Sequence, residues 1–359
     1  MESRRQFVAR LSSYALGGVG IAATTPTLFA QPPVSDDPVS NAPELSAVDL
    51  VTGPTQSAIN KALGYLARRQ NDDGSVGSGN YSRNVAVCSL SGMAFMAGGS
   101  TPRRGPFGEN TAGCVDYILA HTQDRGFITA EGASSHGPMY GHGFATLFLA
   151  EAFGMTWRMD IGEKLAKAVE QIVATQNKEG GWRYLPEKKD ADISVTVCQV
   201  MALRAARNAG IFVPPETIDT AVDYVKRSQN PDGGFMYQIE GGPSAFPRSA
   251  AGIVALYSAG IYDSDEITKG LDYLMQFKPR ANVFDPQPHY FYGHYYAVQA
   301  MWHAGGDYWK EWYPAIRDQL LARQREDGTW DSTVSPEYGA AMASLVLQMP
   351  NNYLPIFQR

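Results

Sequence analysis

Gln176-Asn177-Lys178-Glu179-Gly180-Gly181-Trp182 reads Q-x3-G-x-W, and it recurs. Gln70-Asn71-Asp72-Asp73-Gly74-Ser75-Val76, Gln229-Asn230-Pro231-Asp232-Gly233-Gly234-Phe235 and Gln324-Arg325-Glu326-Asp327-Gly328-Thr329-Trp330 are further copies. Worn copies surround Gln123 and Gln276. The six glutamines stand at 70, 123, 176, 229, 276 and 324, giving steps of 53, 53, 53, 47 and 48. Self-similarity at a period near fifty residues is the mark of a repeat architecture.

Each repeat follows one plan. An amphipathic helix leads into the glutamine: Leu165, Val169 and Ile172 recur at helical spacing, as do Ile218, Ala221, Val222 and Val225, then Ile267, Leu271 and Leu274. Glycine then ends the helix, because it accepts the left-handed turn. A second, nearly apolar helix follows, expected over Val85–Ala97, Gly143–Phe153, Ser194–Ala206, Ser249–Ser258, Tyr295–Ala304 and Gly339–Met349. A helix apolar all round is buried on most sides. Six wet outer helices and six apolar inner ones predict an all-α fold, a closed (α/α)6 toroid of hairpins. A propeller of similar period would need alternating strands, which the helical spacing excludes.

The chain has 359 residues, 44% hydrophobic and 18% charged, with a net charge of −6. That suits a globular protein with a sizeable core. It carries no basic stripe, so no nucleic-acid partner is expected. Cys88, Cys114 and Cys198 include no C-x-x-C pair and read as buried small apolar residues. Ser3-Arg4-Arg5-Gln6-Phe7-Val8, the apolar run Tyr14–Ala23 and a small residue at Ala30 describe an export signal over 1–30 of twin-arginine type. The expected location is outside the cytoplasm, in the periplasm or cell envelope, with no stable membrane span after cleavage. Residues 31–54, with five prolines, read as a disordered linker, and 55–359 as the toroid.

Q-x3-G-x-W after an amphipathic helix resembles the QW motif of terpenoid cyclases. The chain from about 55 to 359 resembles the α/α toroid shared by squalene/hopene cyclases and protein prenyltransferase β subunits. The resemblance implies a central cavity with its mouth at the inner-helix starts. Those starts carry Arg83, Tyr140-Gly141-His142, Asp190-Ala191-Asp192, Arg248, Tyr292-Gly293-His294 and Tyr338.

Asp190-Ala191-Asp192-Ile193 resembles the cyclase motif D-x-D-D, in which the middle aspartate protonates an alkene. Asp192 is then the candidate acid, with His142 and His294 assisting. Ile193 departs from the motif and removes a neighbouring carboxylate. An aspartate before a helix also caps free N–H groups, so capping stands as the other reading. His142 and His294 read equally as polar cavity lining, with His136 and His289 in the adjoining loops. The candidate substrate-binding residues are Arg83, Tyr140, Arg248, Tyr292 and Tyr338. Aromatic side chains around them, among them Tyr81, Phe144, Tyr184, Tyr237 and Phe246, suit a carbocation, an isoprenoid chain or a sugar ring; Phe148, Tyr290, Phe291, Tyr295, Tyr296 and Trp302 carry the same two readings, wall or core. No metal or other cofactor is assigned, since the D-x-C ligand pair of the prenyltransferases is missing.

The expected function is to bind a small apolar, isoprenoid-like or envelope-derived ligand in the cavity. The alternatives are a terpenoid cyclase-like enzyme using Asp192, and a polysaccharide-active (α/α)6 enzyme using Glu151 and Asp192.

Overall fold

The computed structural model describes Ala47 and residues 49–130, 137–280 and 287–358. The export signal, most of the linker and His136 lie outside the described residues. Among the described residues, no helix is long and apolar enough to cross a membrane. The described end of the linker belongs to the folded unit. Ala47 is buried, Leu50 and Val51 pack on the core, and the Leu50 carbonyl accepts from Arg317 Nη1 at 3.1 Å.

Among the described residues, twelve long helices alternate between two layers. The outer ones are α1 (Gly53–Arg69), α3 (Gly108–Ala120), α5 (Met159–Thr175), α7 (Pro215–Arg227), α9 (Asp265–Met275) and α11 (Gly306–Leu321). The inner ones are α2 (Val85–Ala97), α4 (Pro138–Phe153), α6 (Ile193–Asn208), α8 (Phe246–Ser258), α10 (Tyr290–Ala304) and α12 (Pro336–Leu347). Each inner helix packs on the next, and α12 packs back on α2, so the inner ring closes. Among the described residues there are only isolated β-bridges, which tie the turns.

Helix α1 starts two residues before the expected Thr55, with Thr52 as its cap. Helices α4, α8, α10 and α12 start three to five residues earlier than the apolar runs predict. In α4, α8 and α12 a proline in the first turn accounts for this, since proline there needs no N–H and its fixed φ is already helical. The Tyr-Gly-His tripeptides therefore lie inside their helices.

The repeated glutamine works as a two-way clamp. Gln176 Nε2 donates to Gly180 O in its own turn and to Thr217 O at the start of the next outer helix, both at 2.9 Å. Gln70 and Gln229 repeat this, and Gln324 closes the ring by reaching Ala58 O in α1 at 2.8 Å. The aromatic points back: Trp182 Nε1 donates to Ile172 O of its own outer helix at 2.8 Å, and Trp330 does the same to Leu320 O. Gly180 is needed twice over. Its φ is +98°, and a Cβ there would lie 2.0 Å from Thr220 O of the neighbouring helix.

Candidate functional site

A cavity of about 630 Å³ opens at the N-terminal ends of the inner helices. Seven tyrosines and three phenylalanines line it, and Arg248 is the one fully charged side chain among the described lining residues. Volume and lining both match a small-molecule pocket, roughly 300–1,000 Å³ and largely apolar. Phe148, Tyr295, Tyr296 and Trp302 are instead core residues, buried behind the wall.

The two Tyr-Gly-His tripeptides split by direction. Residues two apart on a helix point to nearly opposite sides, about 200° apart at 100° per residue. Tyr140 and Tyr292 face the cavity, where their rings meet edge-on with centroids 6.5 Å apart. Burial pushes both phenols well up, so they stay neutral. The Tyr292 hydroxyl also donates to Ser194 O at 2.8 Å, which joins α10 to α6 across the ring.

His142 and His294 do not line the cavity. His142 Nδ1 accepts from Ile128 N at 3.2 Å, which puts the proton on Nε2, bonded to Ala168 O at 3.2 Å. It is a neutral staple between α4 and α5, and burial lowers its pKa to about 4. His294 is packed among Phe246, Tyr290 and Trp312, and burial takes it to about 3. Neither ring contacts Asp192, so the expected assistance to an acid has no geometry behind it.

Arg83 also leaves the set. Its φ is +58°, and its side chain points to solvent and pairs with Asp73 at 3.4 Å. Arg248 lines the rim, with Nε donating to Phe235 O at 2.9 Å and Nη2 bonded to Pro243 O. Tyr338 lines the wall, and His289, the residue before α10, lines the mouth.

Asp192 is fully buried, and its two oxygens serve different partners. Oδ1 accepts from Val195 N at 2.9 Å, a helix cap. Oδ2 faces the Tyr237 hydroxyl at 3.3 Å and Arg183 Nε at 3.9 Å. The Tyr237 hydroxyl in turn shares a short hydrogen bond with that of Tyr184. Burial raises the Asp192 pKa to about 6, against the pull of Val195 N–H, Arg183, Ser194 N–H and Tyr237. Arg183 holds Asp190 more closely, at 2.5 Å. Ile193, where the cyclase motif has its third aspartate, gives its N–H to Tyr237 O at 3.1 Å.

Asp192 itself is behind the cavity wall; Tyr184 and Tyr237 line the cavity in front of it. Their pairing with the aspartate was not read from sequence, although a signal exists. Each follows its motif aromatic by two residues, Trp182 to Tyr184 and Phe235 to Tyr237, the same register position in adjacent repeats. Glu151 is buried in α4 and does not line the cavity, so it forms no carboxylate pair with Asp192 there.

The model of the prenyltransferase alpha-alpha toroid domain matches residues 50–167 and 161–277. The chain belongs to this toroid family. Among solved structures, the toroid is similar to the type II terpene cyclase MstE of Scytonema, with a TM-score of 0.60 at 14% identity, covering 84% of this chain and 99% of that one. The same cyclase, as a variant, has been solved with its substrate geranylgeranyl dihydroxybenzoate. The α-1,6-mannanase GH76A of Salegentibacter sp. HEL1_6 has a TM-score of 0.62 at 8% identity, over 83% and 99% of the two chains. At such identities the likeness is one of fold. A drimenyl diphosphate synthase of Streptantibioticus cattleyicolor is 31% identical over 99 residues, 28% of this toroid chain but only 18% of the synthase.

Proposed function

We propose that the cavity binds the apolar chain of an isoprenoid-like, envelope-derived ligand. The observation that carries this reading is the wall of ten aromatic rings with Arg248 at its rim as the one charged side chain among the described lining residues. Such a wall gains from burying an alkyl or polyene chain, by roughly 25 cal/mol per Å² of apolar surface. Arg248 and Ser244 at the rim suit a polar head. Because Arg248 already serves two backbone carbonyls, it offers one small head group a hydrogen bond, not the clamp that a diphosphate needs.

A second reading, acid-initiated cyclisation, is favoured by Asp192. A carboxyl with a pKa near 6 keeps its proton under mildly acidic conditions, and protonation of an alkene needs a buried proton donor. The proton would reach the chain through the Tyr237–Tyr184 hydroxyls, since these face the cavity. The tyrosine faces would then attract the resulting cation.

Both readings are tested by incubating the protein with farnesol and geranylgeraniol, following binding by quenching of intrinsic fluorescence and products by gas chromatography. Binding by wild type and Asp192→Asn, with product from wild type alone, supports both. Equal product from the two proteins removes Asp192 from the chemistry. Absence of binding in either overturns the cavity reading.

Export by the twin-arginine route is part of the proposal and rests on Arg4-Arg5 before the apolar run. Replacing both by lysine is expected to leave the protein in the cytoplasmic fraction. Continued export of that variant would point to a different route.

A further inference from the structure

A second cleft, of about 370 Å³, lies at the other end of the inner ring. Its walls come from the first half of α1, the turns after α2 and α12, and the segment leading to Tyr353. Among the described residues that line it, none is charged. Four side-chain amides do line it, from Gln56, Asn60, Gln348 and Asn351, together with the rings of Phe107 and Tyr353.

One group in this cleft is unsatisfied. Gln348 is 2% exposed, and its Nε2 donates to Ala94 O at 3.1 Å. Only the NH₂ side of an amide can donate to a carbonyl, so the orientation is fixed and Oε1 is turned the other way. That oxygen is buried with no hydrogen-bond partner among the described residues. It stands against Gly98, where a Cβ would lie 3.0 Å from it. Gly98 packs tightly there, since a Cβ would also lie 2.8 Å from Leu63 Cδ1 and 3.3 Å from Phe95 O, and a buried polar atom left without a partner costs about 1–3 kcal/mol. Asn351 is held in the same sense, with Nδ2 donating to Ala97 O at 3.3 Å.

We propose that this cleft is a second binding site, for a neutral hydroxyl-rich ligand of the saccharide class. Amides both donate and accept, as sugar hydroxyls do. The uncharged lining disfavours anions and cations. Tyr353 is 55% exposed and Phe107 half-buried, and such rings offer the flat apolar platform against which the C–H face of a pyranose packs. The inference does not depend on what the larger cavity holds.

The test is saturation-transfer NMR on the whole protein with maltose, cellobiose and mannobiose as probes. At least one disaccharide is expected to receive saturation, with affinity weakened roughly tenfold, about 1.4 kcal/mol, in Tyr353→Ala and in Asn60→Ala. Both are exposed residues at the cleft's rim. Gly98→Ala would press on Leu63 Cδ1 and the Gln348 oxygen at the cleft wall and is expected to weaken transfer further; if it does not fold, the two rim variants decide. Farnesol should leave the transfer unchanged. Absence of transfer with all three sugars overturns the proposal, as does transfer that the rim variants leave intact or that farnesol displaces.

Discussion

The Tyr237 hydroxyl stands 3.3 Å from Oδ2 of Asp192, and of the two residues only Tyr237 lines the cavity. A hydrogen bond donated to a carboxylate favours its charged form. Tyr237→Phe is therefore expected to raise the Asp192 pKa above its value of about 6, by up to about one unit. Carbon-13 NMR titration of labelled aspartate reads this directly. An unchanged pKa would mean that the hydroxyl proton is committed to Tyr184.

The cap and the proton at Asp192 are separable. The Asp192→Asn variant keeps a side-chain oxygen for Val195 N, so stability should change by less than about 1 kcal/mol, whereas Asp192→Ala loses the cap and about 0.5–2 kcal/mol. Chemical denaturation of the two variants measures the difference. Equal losses would show that the charge, not the cap, matters to the fold.

Acid stability reflects opposing groups. Asp192 has a raised pKa, so its contribution is full below the ordinary aspartate value near 4 and is lost as pH rises through about 6. His142 and His294 are depressed, so theirs is full above about 6.5 and is lost as pH falls through about 4 and about 3. Between pH 6 and 4 two histidines oppose one aspartate, and these groups together should lower Tm on acidification. In Asp192→Asn the fall should be steeper. Thermal unfolding across this range checks it, and a shallower fall in the variant would contradict the assignment. His142→Ala should cost about 2–4 kcal/mol through its two lost bonds and the void, yet leave ligand binding in the cavity unchanged.

The repeat clamp is a matter of stability alone. Gln176→Ala strands Gly180 O and Thr217 O and should cost about 1–3 kcal/mol. Gly180→Ala should cost more, because backbone strain and a clash with Thr220 O add together. Urea midpoints rank the two, and the reverse order would be inconsistent with this packing.

The ring closes at Glu337, which is 1% exposed and accepts from Ser78 at 2.8 Å, Arg69 at 3.1 Å and Tyr65 at 3.3 Å. Burial works against its ionisation, yet donors from Ser78, its own backbone and Arg69 hold its carboxyl below the usual range. Glu337→Ala is expected to open the seam between α1 and α12 first. Hydrogen exchange should rise there before it rises in α6, and uniform exchange across the ring would refute a weak seam.

The sequence by itself determined the toroid. Gln70, Gln176, Gln229 and Gln324 recur because every hairpin meets the next through the same local clamp, and a local rule repeated along the chain is visible as a period. It also marked Asp192, Tyr140, Tyr292, Arg248 and Tyr338 as residues near one end of the inner ring. What each side chain faces was decided only by the tertiary structure. The starts of α4 and α10 set the rotation that turns Tyr140 and Tyr292 inward and His142 and His294 outward, and an error of a few residues in a helix start reverses that outcome at 100° per residue. Asp192 and Tyr237 are 45 residues apart and meet because adjacent repeats pack side by side, which sets the residue before α6 against the turn that follows Phe235. The proton affinity of Asp192 follows from burial, which belongs to the packed ring and to no segment of the chain alone.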